Sequence, residues 1–113
     1  SFEFNARLDV MFTPHAAPIL RDAYVGAASL ADPGISPLNG DWTGLPPLLF
    51  QASSTELLLC DSVRAAERAR MAGVVVQERI WPGMPHVFQL FRFLREARDA
   101  LDDIAAHLRK YIA

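Results

Sequence analysis

The sequence predicts an α/β fold in which parallel strands are joined by crossover helices. Two short apolar runs, at residues 48–52 and 74–81, are typical of buried strands, and a segment with helical periodicity follows each of them. The order strand, helix, strand, helix implies parallel strands with right-handed crossovers. Because two strands are too few for an independent parallel sheet, we expect the sheet of this chain to be incomplete.

The composition is that of a folded globular chain with one modest core. Of its 113 residues, 51% are apolar and 21% are charged, which excludes a disordered tail. The net charge is −2 and there is no basic stripe, so we expect no nucleic-acid partner. The apolar runs are far shorter than the roughly 20 residues that a membrane span needs, so no span is expected.

Cysteine usage bears on location and on metals. The single cysteine, Cys60, cannot form an internal disulfide, and no export signal stands at the start, so we expect a cytoplasmic protein. No Cys/His cluster has the spacing of metal ligands, and we therefore expect no metal and no other cofactor.

The first 45 residues give weaker signals than the rest. Residues 1–7 alternate with a period of two, but the pattern breaks at residues 11–15. A helix is predicted over residues 18–27, because Pro18 suits a first turn and apolar residues recur at helical spacing after it. Residues 32–41 are dense in turn formers, which indicates a loop.

The later elements are better defined. Prolines 46 and 47 fix the start of the first strand, and residues 60–71 predict a helix that ends at Gly73. Its apolar face is expected to consist of Val63, Ala66, Ala69 and the aliphatic part of Met71. Residues 94–112 predict a final helix with one apolar stripe, made of Leu94, Ala97, Leu101, Ile104 and Leu108.

His86 is the candidate catalytic base. It follows the second strand after the loop sequence Trp-Pro-Gly-Met-Pro, and ligands of open α/β sheets bind at the carboxyl ends of strands. Imidazole is the side chain best suited to move a proton near neutral pH. His107 is expected to face solvent on the last helix, and His15 lies in an irregular stretch. Neither is assigned a role.

Glu56 is the candidate acid, since it follows the first strand as His86 follows the second. It would orient His86 and stabilise the imidazolium during acyl transfer. The alternative is that Glu56 only favours the positive N-terminal end of the next helix. Asp61 is the competing acid, but it lies one turn further into that helix and is expected to point away.

Three residues are weak candidates for the nucleophile. Ser53 and Ser54 lack the flanking glycines of a nucleophile elbow and share a loop with the acid. Cys60 is a possible thiol nucleophile, but it is expected to pack as a small apolar residue behind Glu56.

Several segments together resemble the C-terminal half of the hormone-sensitive-lipase-like esterases, which have the α/β-hydrolase fold. The resemblance covers roughly residues 20–112 and preserves the order acid then histidine, each on a loop after a strand. It is carried by Asp32-Pro33-Gly34-Ile35-Ser36-Pro37-Leu38, Gly44-Leu45-Pro46-Pro47, Glu56-Leu57-Leu58-Leu59-Cys60-Asp61-Ser62 and Trp81-Pro82-Gly83-Met84-Pro85-His86-Val87-Phe88.

The resemblance implies residue roles and an incomplete site. Glu56 matches the family's catalytic acid, with Leu57 in place of a proline and Cys60 in place of a second acid, and His86 matches the catalytic histidine. The family's His-Gly-Gly-Gly and Gly-x-Ser-x-Gly segments have no counterpart here. Residues 1–113 are thus expected to be the C-terminal portion of an α/β-hydrolase domain, with about 1–25 related to its cap.

Two functions remain open at this point. In the first, the chain is part of a serine carboxylesterase for small-molecule esters, and a missing N-terminal hydrolase segment supplies the nucleophile and the oxyanion hole. In the second, it is an inactive fragment that acts only as a self-associating structural module. Either way, we expect the chain alone to be inactive and to bind the missing segment or form a homo-oligomer.

Overall fold

The computed structural model describes residues 2–112, so both ends of the expected 1–113 range lie outside the described residues. The predicted alternation of helices and strands is present in the expected order. The helices and strands are α1 (Ala16–Val25), β1 (Leu48–Ser53), α2 (Leu59–Met71), β2 (Val76–Trp81) and α3 (Arg95–Ile112). Short 3-10 helices lie at Phe4–Arg7, Pro37–Asn39 and Phe88–Leu90.

The described residues form a two-stranded parallel sheet, which confirms the predicted α/β class and its incomplete sheet. Leu48 pairs with Val76 at one end of the register and Ser53 pairs with Trp81 at the other. The pairing extends one step further, since the Ser54 amide donates to the Trp81 carbonyl over 2.9 Å. The loops that follow the two strands therefore begin side by side.

Small side chains bring α2 and α3 close to the sheet. α2 packs against both strands, and α3 packs against β1 and the Phe88–Leu90 turn. Ala66 and Ala69 of α2 are fully buried, as are Ala97 and Ala100 of α3. The expected packing of Met71 is wrong, because it is the last residue of α2 and its side chain is 84% exposed. Val63, also expected on the apolar side, is 39% exposed.

The principal core lies where α3 meets the end of β2. Trp81, Phe88, Ala97 and Ala100 form a buried cluster, and the rings of Trp81 and Phe88 have centroids 5.4 Å apart. The outer part of the predicted α3 stripe is not covered by the described residues, since Leu101 is 39% and Leu108 is 46% exposed. The two-stranded sheet is too narrow to cover that face.

The N-terminal third folds around the loops rather than on the sheet. Residues 2–7 do not form a strand despite their period-two pattern, because Phe4–Arg7 is a 3-10 helix that buries Asn5. α1 has no buried residue, and the turn-dense segment before β1 is a loop, as predicted. None of the described helices combines the length and apolarity needed to cross a membrane.

Candidate active site

The structure brings the predicted acid and the predicted base together. Glu56 lies on the loop after β1 and His86 on the loop after β2, and Glu56 Oε2 is 3.1 Å from His86 Nδ1. Glu56 is only 6% exposed, and His86 is half-buried. Because a carboxylate only accepts hydrogen bonds, this contact requires the proton on Nδ1 and leaves Nε2 free to accept a proton.

The Glu56 carboxylate is held by the strand that precedes it. Its Oε1 accepts a hydrogen bond of 2.9 Å from the backbone amide of Ser53, the last residue of β1. Oε1 is thus occupied, and Oε2 is the oxygen that faces His86. Both carboxylate oxygens have partners outside α2, which favours the pairing with His86 over a role at the N-terminus of that helix.

Side chains of the acid loop (residues 54–58, between β1 and α2) hold the histidine loop (residues 82–87, after β2). The Ser54 hydroxyl accepts from the Gly83 amide over 3.1 Å, and the Thr55 hydroxyl donates to the Met84 carbonyl over 3.2 Å. Gly83 has φ of +66°, a left-handed conformation that glycine adopts without strain. The two loops therefore form one hydrogen-bonded unit.

The residue after His86 has an unusual backbone conformation. Val87 has φ of +48° and ψ of +37°, which is left-handed, and among the described residues it is the only non-glycine with positive φ. A β-branched side chain is disfavoured there. Strained backbone of this kind concentrates at functional sites, where the surrounding structure enforces it.

Two polar residues of the N-terminal segment also hold the acid loop, and the sequence analysis missed both. Asn5 is 1% exposed, and its Nδ2 donates to the carbonyls of Ser54 (3.0 Å) and Glu56 (2.8 Å). Asp9 Oδ2 accepts from the Leu57 amide over 2.9 Å. These contacts span 48 to 51 residues, and no local pattern signals them.

The carboxyl group of Asp9 is ionised at neutral pH. Burial raises the pKa of its carboxyl, but hydrogen bonds from the amides of Phe12, Leu57 and Met11, together with the attraction of His86, outweigh burial. The net pKa of Asp9 lies below the ordinary value of 3.8. A second negative charge therefore lies near the Glu56–His86 pair.

The other candidates have different surroundings. Ser53 is fully buried and its hydroxyl bonds to Thr55 over 3.1 Å, so it shapes the acid loop. Asp61 is exposed and lies 3.8 Å from Arg64, and the carboxylate that reaches His86 is that of Glu56. The expected packing of Cys60 is wrong, because it is exposed on the first turn of α2.

His107 does not face solvent as expected. It is half-buried, with Nε2 donating to the Pro47 carbonyl over 3.1 Å and Nδ1 lying 2.6 Å from Gln77 Oε1. It ties α3 to the start of β1, the opposite end of the strand from Glu56. His15 is exposed just before α1. The histidine that lies at the carboxyl ends of the strands is His86.

An open cleft of about 700 Å³ adjoins the pair. Its walls combine apolar side chains with polar and charged ones, among them Glu56, His86, Asp61 and Arg64. Asp61 therefore does not point away from the site as expected. A mixed lining of this kind suits a ligand that has an apolar part and a reactive polar group. The other lining residues include Ile35, Pro37, Leu38, Trp42, Phe50, Leu58 and Val87. Within residues 2–112, no group of three His, Cys, Asp or Glu side chains could hold a metal ion.

Comparison with known protein families identifies the family of this chain. Residues 2–90 match the model of a protein family that has the α/β-hydrolase fold. The chain belongs to this family of α/β-hydrolases. The matched range contains both Glu56 and His86, together with the loops that hold them.

Individual α/β-hydrolases are similar over nearly the whole chain. An esterase of Acinetobacter venetianus is 38% identical over 107 residues, which are 93% of this chain and 35% of the relative. The crystal structure of the hormone-sensitive lipase homologue EstE7, from a metagenome library, has a TM-score of 0.93 at 38% identity and covers 98% of this chain. EstE5, in a crystal soaked with p-nitrophenyl butyrate, has a TM-score of 0.91 at 31% identity.

These similarities confirm the predicted resemblance to the C-terminal part of hormone-sensitive-lipase-like esterases. The chain spans only about a third of the Acinetobacter venetianus esterase, 39% of EstE7 and 37% of EstE5. The catalytic roles of Glu56 and His86 stay predictions, as does the relation of residues 1–25 to a cap.

Proposed function

We propose that this chain is the part of a serine carboxylesterase that supplies the acid and the histidine of a Ser-Glu-His triad, with small-molecule esters as substrates. The observation that carries the proposal is the 3.1 Å contact between Glu56 Oε2 and His86 Nδ1 at the carboxyl ends of β1 and β2. Membership of a family that contains esterases supports the same reaction class.

In this proposal, each side chain has its own role. His86 Nε2 takes the proton of a serine hydroxyl as the oxygen attacks the ester carbonyl, and it later gives that proton to the leaving alcohol. Glu56 accepts the hydrogen bond of Nδ1–H, which keeps His86 in the tautomer with Nε2 unprotonated and stabilises the imidazolium that forms. The hydrogen bond from Ser53 to Glu56 Oε1 holds the carboxylate ready for this task.

The nucleophile and the oxyanion donors belong, in this proposal, to a separate hydrolase segment. The chain spans just over a third of EstE7, and the exposed outer stripe of α3 leaves an apolar face for such a segment to cover. A second copy of the chain is the alternative partner. The cytoplasmic location expected from Cys60 stays a prediction.

A chimera tests the proposal. In it, residues 2–112 replace the equivalent part of EstE7, and p-nitrophenyl butyrate, the ester soaked into EstE5 crystals, serves as the substrate. We expect no hydrolysis above background by the chain alone, because it lacks the groups that dominate acyl transfer. We expect hydrolysis by the chimera, with His86→Ala lowering kcat by about 10⁴-fold or more. His15→Ala is the matched control, since His15 is exposed and is not among the residues that line the cleft.

Two results would contradict the proposal. A folded chimera in which His86→Ala leaves kcat unchanged would remove His86 from the mechanism and favour the inactive, self-associating module. Hydrolysis by the chain alone that His86→Ala abolishes would place the nucleophile within this chain, at Ser53, Ser54 or Cys60.

A further inference from the structure

Asp9 contacts two segments that meet at the candidate site. Its Oδ1 accepts from the amides of Met11 and Phe12, each over 2.9 Å, and its Oδ2 accepts from the amide of Leu57 over 2.9 Å. Leu57 is the residue after Glu56. One carboxylate thus joins the N-terminal turn to the backbone that carries the acid.

Phe12 extends this connection to the base. Its ring meets the ring of His86 edge-on, with centroids 4.8 Å apart and planes inclined by 71°. Edge-to-face contacts of this kind orient a ring and shield one side of it from water. Because His86 is only half-buried, burial alone does not fix the plane of its ring. The backbone that presents Phe12 is itself held by Asp9 Oδ1.

The charge of Asp9 also supports a role at the Glu56–His86 pair. Its carboxylate attracts the positive charge that His86 gains when it takes a proton, and this attraction contributes to the lowered pKa of Asp9. Asp9 is not among the described residues that line the cleft. Replacing Asp9 should therefore change substrate binding little and should mainly change proton transfer by the Glu56–His86 pair.

We propose that Asp9 is a positioning residue that couples the acid loop to the plane of the His86 ring. The proposal rests on the catalytic role proposed for the Glu56–His86 pair. It assigns to residues 9–12 a function that differs from covering a substrate, since Asp9 binds the Leu57 amide, Phe12 contacts the His86 ring and neither residue lines the cleft. A role confined to stabilising the local turn is the competing explanation.

Asp41 provides a matched control for that competing explanation. Its Oδ1 accepts from the Thr43 amide over 2.9 Å, in a turn similar to the one that Asp9 makes with Met11. Asp41 is exposed, and its pKa is also lowered by the hydrogen bonds that it accepts from Thr43. Replacing either aspartate by asparagine removes one charge and leaves one acceptor oxygen for the turn. Only at Asp9 is the second oxygen also needed, because it accepts from the Leu57 amide.

The first experiment uses NMR on the 113-residue chain. We expect a nuclear Overhauser effect between the rings of Phe12 and His86 in the unaltered chain. Asp9→Asn should abolish or strongly weaken it and shift the His86 ring resonances. Asp41→Asn should change neither signal. Since this measurement needs no catalytic activity, its result does not depend on the proposed function.

The second experiment uses the EstE7 chimera. Asp9→Asn should lower kcat for p-nitrophenyl butyrate by about tenfold to a hundredfold, the scale expected when a catalytic group is misplaced by about 1 Å, and KM should stay within about twofold. Phe12→Leu removes the ring and leaves the Asp9 hydrogen bonds, so it should give the same pattern even if Asp9→Asn does not fold. Asp41→Asn should leave both constants unchanged.

The outcomes separate the two proposals. If Asp9→Asn or Phe12→Leu leaves the ring signals of His86 and kcat unchanged, the positioning role is wrong and Asp9 serves the turn alone. If His86→Ala leaves the chimera active, the proposed function fails, and the ring contact measured by NMR has no catalytic meaning. Loss of kcat with unchanged KM, for both variants, supports the inference.

Discussion

Glu56 and His86 are 30 residues apart in the chain, yet Oε2 of one lies 3.1 Å from Nδ1 of the other. The parallel register explains the meeting, because Ser53 pairs with Trp81 at the end of the sheet and each side chain follows its strand within a few residues. The Ser54 hydroxyl accepts a hydrogen bond from the histidine loop and the Thr55 hydroxyl donates one to it, and the two bonds fix the approach.

Asn5 should be a major contributor to the stability of the acid loop. Asn5→Ala leaves the carbonyls of Ser54 and Glu56 without their side-chain donor, and we expect the free energy of unfolding to fall by about 2–3 kcal/mol. The loss comes from Nδ2, because Oδ1 has no hydrogen-bond partner among the described residues. Urea unfolding followed by circular dichroism measures it.

Asn39→Ala is the matched control for Asn5. Its Nδ2 also donates to a backbone carbonyl, that of Ala31 at 3.3 Å, but at an exposed site where water replaces the bond. We expect a change within about 0.5 kcal/mol. Equal losses for the two asparagines would show that Asn5 has no special role at the acid loop.

The lowered pKa of Asp9 predicts a pH dependence of stability. A carboxyl whose pKa is lower in the folded than in the unfolded chain stabilises the fold above its ordinary pKa of 3.8, and the contribution is lost as the pH falls through the folded value. The difference in unfolding free energy between the unaltered chain and Asp9→Asn should therefore be constant from about pH 7 to pH 5 and shrink below about pH 4. A difference that does not change down to about pH 3 would contradict this.

The backbone strain at Val87 should be measurable. Val87→Gly removes a left-handed β-branched residue, which costs roughly 1–3 kcal/mol, and adds the smaller entropic cost of glycine, roughly 0.5–1 kcal/mol. We expect the free energy of unfolding to rise by about 1 kcal/mol. Val75→Gly, at an exposed valine without positive φ, should lower it by a similar amount. A loss of stability in Val87→Gly would show that the fold does not strain this residue.

The sequence predicts the elements of this fold well because their signals are local. Apolar runs place β1 and β2, helical spacing places α2 and α3, and each prediction lies within about two residues of the observed bounds. The rule that ligands bind at the carboxyl ends of parallel strands was enough to pair Glu56 with His86, since it needs only the order of the strands.

What the sequence does not reveal depends on distant neighbours. The hydrogen bonds of Asn5 and Asp9 to the acid loop span about 50 residues and come from an irregular segment without periodicity. His107 has partners at the start of β1 that no helical pattern indicates. Met71 fits an apolar pattern but lies beyond the part of α2 that the sheet covers.

The central claim is that Glu56 and His86 act as one catalytic unit, and a double-mutant cycle in the EstE7 chimera tests it most directly. Glu56→Gln alone should lower kcat for p-nitrophenyl butyrate by about 10³- to 10⁴-fold, and His86→Ala by at least as much. Glu67→Gln, on the exposed face of α2, is the control for loss of a glutamate and should leave kcat unchanged.

The double variant decides the question. If the two residues form one unit, Glu56→Gln combined with His86→Ala should be no slower than His86→Ala alone, because removing the base already removes the function of its partner. If the two losses multiply, Glu56 contributes independently of His86, and the pairing seen at 3.1 Å is not the catalytic arrangement.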